Sequence, residues 1–447
     1  MANFVPFDRD QSFLLPPELK EWLPEDDVAH FVVAAVERVP LGALKVAERA
    51  GGKPQYHPRL MLALLIYSYA NGIFSSRRIE RATHRDIGVR FVAANLHPDH
   101  DTIAVFRRTN KTAFEAAFLQ VLLLARESGL LRVGTVSIDG TKIDANASKI
   151  RSVRYDRAKE LRAKLAADIT ALTARAEAAD AEADDPQALP AEIARRETLK
   201  ARLDAACARL EAQARAEADA ARPAYEAKKA AYDAKRGRRG RPPVPPDDDP
   251  PPARQSNLTD PDSALMRRSD AHEYRQACNA QAVVCADGAQ LILATGITAS
   301  PADAPGFAAT ILAMEKTVGL PHIVLADTGF ASGPAVAELQ KRGIEPLVAI
   351  GRTQPHRPYD FRPPPKPKAA RRITEAWRIA MKAKLQTDDA KTLYKKRKQT
   401  VEPVFGIIKS ALGFLRFRLR GLQNVATEWT LIALAYNCRR ITRLQAT

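Results

Sequence analysis

One segment, residues 131–139 (LRVGTVSID), is rich in β-branched residues, with Val136 and Ile138 alternating with Ser137 and Asp139, the period of a strand. Nothing else in the chain reads as strand until after residue 277. There, residues 281–286 and 290–297 flank Asp287-Gly288, a hairpin signal. Strands at 322–326 and 345–350 follow, alternating with helices at 303–317 and 333–341. A lone strand leaves its backbone groups unpaired, so the early strand must find its partners across the whole intervening stretch. The order strand, hairpin, helix, strand, helix, strand predicts an α/β domain whose sheet is partly antiparallel and partly joined by crossovers.

The stretch between is of another kind. Residues 151–235 are rich in Ala, Glu, Lys and Arg, with Leu161, Leu165, Ile169 and Leu172 on one stripe. Asp184-Asp185-Pro186 breaks the pattern, and Leu199, Leu203, Cys207 and Leu210 resume it after Pro190. This predicts an antiparallel helical hairpin or coiled coil. It ends in RGRRGRPPVPPDDDPPP, too rich in proline and charge to pack, hence a flexible linker. Residues 153–255 are therefore expected to be an insertion into the α/β domain, whose parts are 131–152 and 256–447.

Residues 1–130 read as an all-α N-terminal domain. The apolar run from Leu60 ends at Asn71-Gly72, Ser75-Ser76 offers the next cap, and Asp101 or Thr102 can cap a helix through Ile103, Val105 and Phe106. Short capped helices with paired arginines, Arg77-Arg78 and Arg107-Arg108, suit a helix-turn-helix-like DNA reader as well as an ordinary bundle with solvated arginines.

Charge narrows the partner. The 447 residues carry a net +17, and 351–447 alone holds 22 Lys+Arg against 6 Asp+Glu. A basic segment of that size calls for a polyanion, nucleic acid or an anionic membrane surface. The longest apolar stretch, 60–70, is far short of the ~20 residues of a spanning helix. Residues 1–11 have no basic start followed by an apolar core, and the cysteines Cys207, Cys278, Cys285 and Cys438 form no metal or redox motif. The expectation is a cytoplasmic protein with reduced thiols that binds nucleic acid and no membrane.

Acidic residues in such a protein stand out. Asp139 ends the first strand, and Asp327 follows the apolar run 323–326, the position where open α/β sheets build sites. Glu402 lies in the most basic stretch of the chain. Two Asp and one Glu are hard oxygen ligands suited to Mg²⁺ or Mn²⁺. Two such ions, ~3.5–4 Å apart, can activate a hydroxyl and stabilise a leaving oxygen at a phosphodiester. Asp144, Asp270 and Asp303 are rival carboxylates, Asp144 the nearest rival of Asp139. Tyr394, Lys398, Glu402, Phe405 and Lys409, spaced 4, 4, 3 and 4, would stack on one helix face. Pro403 removes an amide and biases Glu402 away from helical dihedrals, so either the helix kinks there, the preferred reading, or a new helix begins at Pro403 with Glu402 at its N-terminal edge.

The stretches SIDGTKIDANAS, LADTGFAS and YKKRKQTVEPVFGIIK, with the N-terminal PRLMLALLIYSYANGIFSSRRIER and PDHDTIAVFRR, resemble the DDE transposases of bacterial insertion sequences, the group with a Tyr-Arg-Glu-Lys signature. The resemblance implies an RNase H-like mixed sheet with flanking helices, two Mg²⁺ or Mn²⁺ ions, and DNA cleavage with strand transfer. The partners it implies are the element's terminal inverted repeats and target DNA, bound by a homodimer or larger synaptic assembly. Asp139, Asp327 and Glu402 match the acidic positions, Tyr394 the Tyr and Lys409 the Lys. The signature has three residues between Arg and Glu. Arg397 leaves four and Lys398 the usual three, so either cation can take that role. The competing readings are a transposase-derived DNA-binding protein without turnover and a helical interaction protein. Neither calls for the strand-end aspartates.

Overall fold

The computed structural model describes residues 18–46, 54–182, 188–234, 241–267, 273–351 and 373–446. Among the described residues, six α-helices come first: α1 (Val28–Glu37), α2 (Pro58–Ala70), α3 (Ser76–Arg85), α4 (Ile87–Val92), α5 (His100–Thr109) and α6 (Lys111–Glu127). Strands β1 (Thr135–Asp144) and β2 (Ser152–Arg154) lead to α7 (Tyr155–Glu182) and α8 (Ala188–Asp233). Then come β3 (Gln255–Asn257), β4 (Ala264–Arg267), β5 (Tyr274–Cys285), β6 (Ile292–Thr298), α9 (Phe307–Leu312), β7 (Ile323–Ala326), α10 (Gly333–Lys341) and β8 (Glu345–Val348). The chain ends in α11 (Ala376–Lys384), α12 (Asp388–Gly406), a π turn (Ile407–Ala411) and α13 (Leu422–Gln445). These elements form two compact units, Met1–Ile143 with Cys278–Thr447, and Asp144–Ala277.

The first unit is α/β with a mixed sheet in the order β6-β5-β1-β7-β8. β5 and β6 are antiparallel, β7 and β8 parallel, with α10 as their crossover. β1 is parallel to β7, Thr135 beside Ile323 through Ser137 beside Leu325. The predicted hairpin is present, Gly288 taking a φ of +119° in its turn. Three expectations need correction. Strands do not wait until after residue 277: β2, β3 and β4 come earlier, and β5 begins at Tyr274. β1 does not stop at Asp139: it runs on to Asp144, and Gly140 is a strand residue without positive φ. The helix expected at 303–317 is three short pieces, a 3₁₀ turn, α9 and a second 3₁₀ turn.

The N-terminal helices and the end of the chain share one core, so the expected boundary after residue 130 falls inside this unit. α13 packs on α1, α2, α6 and β6. Asn437 completes the backbone of β6, accepting from Ile292 N at 2.9 Å and donating to Ile292 O at 2.8 Å. Arg439 caps α2 by donating to Ala70 O, so part of the basic tail serves packing. At the centre Glu428, fully buried, accepts from the Tyr69 hydroxyl and from the amides of Arg418 and Leu419. Arg107 donates to Tyr69 Oη and to Phe74 O. Arg107 is therefore corrected: it is buried in a polar network, whereas Arg77, Arg78 and Arg108 are exposed. The cap of α5 also differs, Asp99 accepting from Thr102 N two residues before the expected position.

In the second unit, β2 and β3 pair antiparallel, Arg154 beside Gln255, so the chain leaves into α7 and returns after α8 at adjacent points. α7 and α8 pack on each other through Tyr155, Ala158, Leu165, Leu203, Cys207 and Leu210. Residues 241–254 have no regular structure yet are tied down, by Arg222 to Asp248 and by Asp156 N to Pro252 O, which a free linker would not be. The expected break at Asp184-Asp185-Pro186, the rival Asp270 and residues 1–11 lie outside the described residues. No helix among the described residues is long and apolar enough to cross a membrane.

Candidate active site

The β1–β7 register, carried two residues beyond Ser137 and Leu325, sets Asp139 level with Asp327. Neighbouring strands lie ~4.8 Å apart, so two carboxylates from distant parts of the chain are brought side by side. Asp327 caps the 3₁₀ turn that follows β7, accepting from Gly329 N at 2.7 Å. Asp139 accepts from Gly140 N at 2.8 Å. Burial pushes the Asp139 carboxyl up to about 6, Asp327 and Asp303 adding to the rise while the Gly140 amide and Arg397 oppose it.

The third element is α12, which lays Ala390, Leu393 and Tyr394 on Leu325 and Leu347 of the sheet. The Tyr394 hydroxyl donates to Ala326 O at 3.0 Å, fixing the helix beside the residue that precedes Asp327, and burial raises the pKa of that hydroxyl. Arg397, one turn on, is buried and bridges two carboxylates, Asp139 Oδ2 at 3.4 Å and Glu402 Oε1 at 3.5 Å. Lys398 is exposed and Lys409 partly exposed. The stripe expected from spacing is thus split: Phe405 faces the core, Lys398 faces out, and Arg397, off that stripe, reaches the acids.

No new helix begins at Pro403: α12 runs through it as one helix to Gly406. Proline at 403 frees the carbonyl four residues earlier, and that carbonyl, Gln399 O, accepts from the Gln290 side chain at 2.8 Å. Lys396 adds a contact to Asp287 at 3.7 Å. The β5–β6 turn therefore holds the helix that carries Glu402.

Of the rivals, Asp144 pairs with Arg275 at 3.1 Å within the second unit. Asp303 is different. Its Oδ1 accepts from Asn279 Nδ2 at 2.7 Å and lies 3.3 Å from Lys142 Nζ, beside the segments bearing Asp139 and Asp327. The signal for Asn279 lay in its stretch, ACNAQAVVC: two amides inside an apolar strand need partners when buried, and Gln281 donates to Asp303 O.

Carboxylate oxygens are the donors that hard divalent cations take. Asp327 and Asp303 add to Asp139 a repulsion that a cation would relieve, so the donor types suit such an ion. Glu402, 53% exposed, is held through Arg397, and no three His, Cys, Asp or Glu among the described residues converge as a metal site would.

A family model described as "Transposase DDE domain" matches residues 254–438, which include Asp327 and Glu402. One described as "Transposase domain (DUF772)" matches residues 17–109. Neither curated proteins nor solved structures yield a match. The two matched segments make up more than half of the chain and agree with its mixed α/β sheet: the chain belongs to the DDE transposases of insertion sequences.

Proposed function

We propose that this transposase binds the terminal inverted repeats of its element and catalyses metal-dependent DNA cleavage and strand transfer, with Asp139, Asp327 and Glu402 as its acidic triad. The observation that carries the reading is the meeting of three elements: Asp139 level with Asp327 across β1 and β7, and Arg397 of α12 bridging Asp139 and Glu402. The strand order β6-β5-β1-β7-β8, with only the β7 and β8 connections parallel, supports an RNase H-like core made of residues 131–152 and 256–447.

Asp139 and Asp327, with Glu402, would hold Mg²⁺ or Mn²⁺, which when bound lowers the pKa of the attacking water or 3′-hydroxyl and offsets charge on the leaving oxygen. The protein's own part is placement. Tyr394 locks α12 on β7, and Arg397 keeps Glu402 turned toward the strand carrying Asp139. Lys398 and Lys409 contact phosphates beside the acids, and Arg77, Arg78 and Arg108 of 1–130 contact phosphates of the repeat. The helices of 153–255 form an appended hairpin. The working form is a homodimer or larger assembly on DNA, in the cytoplasm and at the nucleoid.

The test is cleavage of terminal-repeat DNA in Mg²⁺ by the purified chain. Asp139→Ala and Asp327→Ala should each lower the rate by orders of magnitude, while binding, governed by cations on phosphates, persists. Equal cleavage by wild type and either variant removes the catalytic assignment. Binding without cleavage by the wild type leaves a DNA-binding derivative of a transposase instead.

A further inference from the structure

Asp303 enters the site from a third direction, at the turn after β6. Two glycines make room for it. A Cβ on Gly140, the residue after Asp139, would lie 2.5 Å from Asp303 Oδ1, and one on Gly329, two after Asp327, would lie 2.7 Å from Asp303 Oδ2. Neither glycine has a positive φ. Their missing side chains are thus explained by space for one carboxylate, not by turn geometry.

A second, independent observation points to a ligand. Asn279 is fully buried, and its amide nitrogen is used on Asp303, but its Oδ1 has no partner among the described residues. That oxygen faces the same gap, 2.8 Å from where a Gly140 Cβ would stand. A buried acceptor without a donor is costly, and an amide oxygen is a hard donor of the kind divalent cations accept. Charge agrees: among the described residues, the ion pairs of these four carboxylates, Asp139, Asp327, Asp303 and Glu402, are made with two cations, Lys142 and Arg397.

We propose that Asp303 is a fourth carboxylate of the Asp139–Asp327 site, seated by Asn279, and that it strengthens the hold of that site on a divalent cation, with Lys142 as the competing cation. This rests on the metal-dependent reading above.

The experiment titrates Mn²⁺ into the full chain without DNA and follows free Mn²⁺ by electron paramagnetic resonance, with thermal unfolding of each variant alongside. Asp303→Asn keeps the shape and removes the charge. It should weaken Mn²⁺ binding on the order of tenfold to a hundredfold, as loss of a group around a metal does. Lys142→Met frees Asp303 and should tighten binding, a gain that a purely structural ion pair cannot produce. Should Asp303→Asn fail to fold, Lys142→Met decides alone. Wild-type affinity in Asp303→Asn, with binding lost in Asp139→Asn, overturns the role of Asp303 and leaves the metal-dependent reading standing. Weaker binding in Lys142→Met also overturns it, because the pair then serves only the fold. If the wild type takes up no Mn²⁺, the metal-dependent reading itself fails, and this proposal with it.

Discussion

Asp139 concentrates the cost of building this site. Its folded pKa of about 6 lies above the ~3.9 of an unfolded Asp. A group whose folded pKa is raised holds its proton more tightly in the native state, so its favourable contribution is complete below pH ~4 and is lost as pH rises through ~6. In metal-free buffer, Asp139→Asn should therefore gain stability relative to wild type by up to about 3 kcal/mol between pH 4 and pH 8. Urea unfolding across that range measures it, and a pH-independent difference would show that the carboxyl is not buried as described. Arg397 and Lys398 separate in the same way. Arg397→Ala releases Glu402 and should abolish cleavage with a small effect on DNA affinity. Lys398→Ala should mainly weaken binding and lower its salt slope by about one. Similar cleavage rates in the two variants would contradict the bridging role. Adjacent residues on a helix point ~100° apart, so the spacing of charges in the sequence left both candidates open. The packing of α12 on β7 and β8 turns Arg397 inward. Arg107 and Arg108 repeat the lesson: one cation is buried on Tyr69 and its neighbour is exposed.

Among the elements, those with a strong local period were legible. α10 and the Asp287-Gly288 turn lie where the pattern put them, because periodicity and turn residues act over a few positions, while β5 starts seven residues before the expected 281, at Tyr274. Elements whose limits depend on distant partners were not. β1 continues past Asp139-Gly140 because its far end stays paired with β5, Ala145 N donating to Gln276 O just beyond it, and Gln290 takes up the carbonyl that Pro403 frees within α12. α13 is the clearest instance. Its Glu428 gives no sign in the sequence of being fully buried, yet it joins the N-terminal helices to the C-terminal segment through Tyr69 and Arg107. Burial raises its pKa, and the charge of Arg107 pulls it down. Glu428→Ala leaves Arg107 buried without that acid and two amides without an acceptor, so it should cost on the order of 3–5 kcal/mol in chemical unfolding. Glu428→Gln keeps an oxygen for the two amides and should cost less. Equal losses would mean that charge, not hydrogen bonding, dominates.

At the scale of the whole molecule, the long helices α7 and α8 carry their own core and leave and return at paired residues, Arg154 beside Gln255. Replacing 155–254 with Asn-Gly, the pair suited to a two-residue hairpin, should leave the first unit with a cooperative unfolding transition. Its loss would mean that the helices contribute to that unit's stability. The residues alone disclosed the α/β class, the long helical stretch, the basic tail and the acidic residues worth weighing. Each is written in short-range periodicity, composition or charge, which need no knowledge of partners. Which acid stands beside which depended on the β1–β7 register, and which cations face inward depended on how α5 and α12 dock. Register and docking angle are set by contacts between segments far apart in the chain, and no local pattern records them.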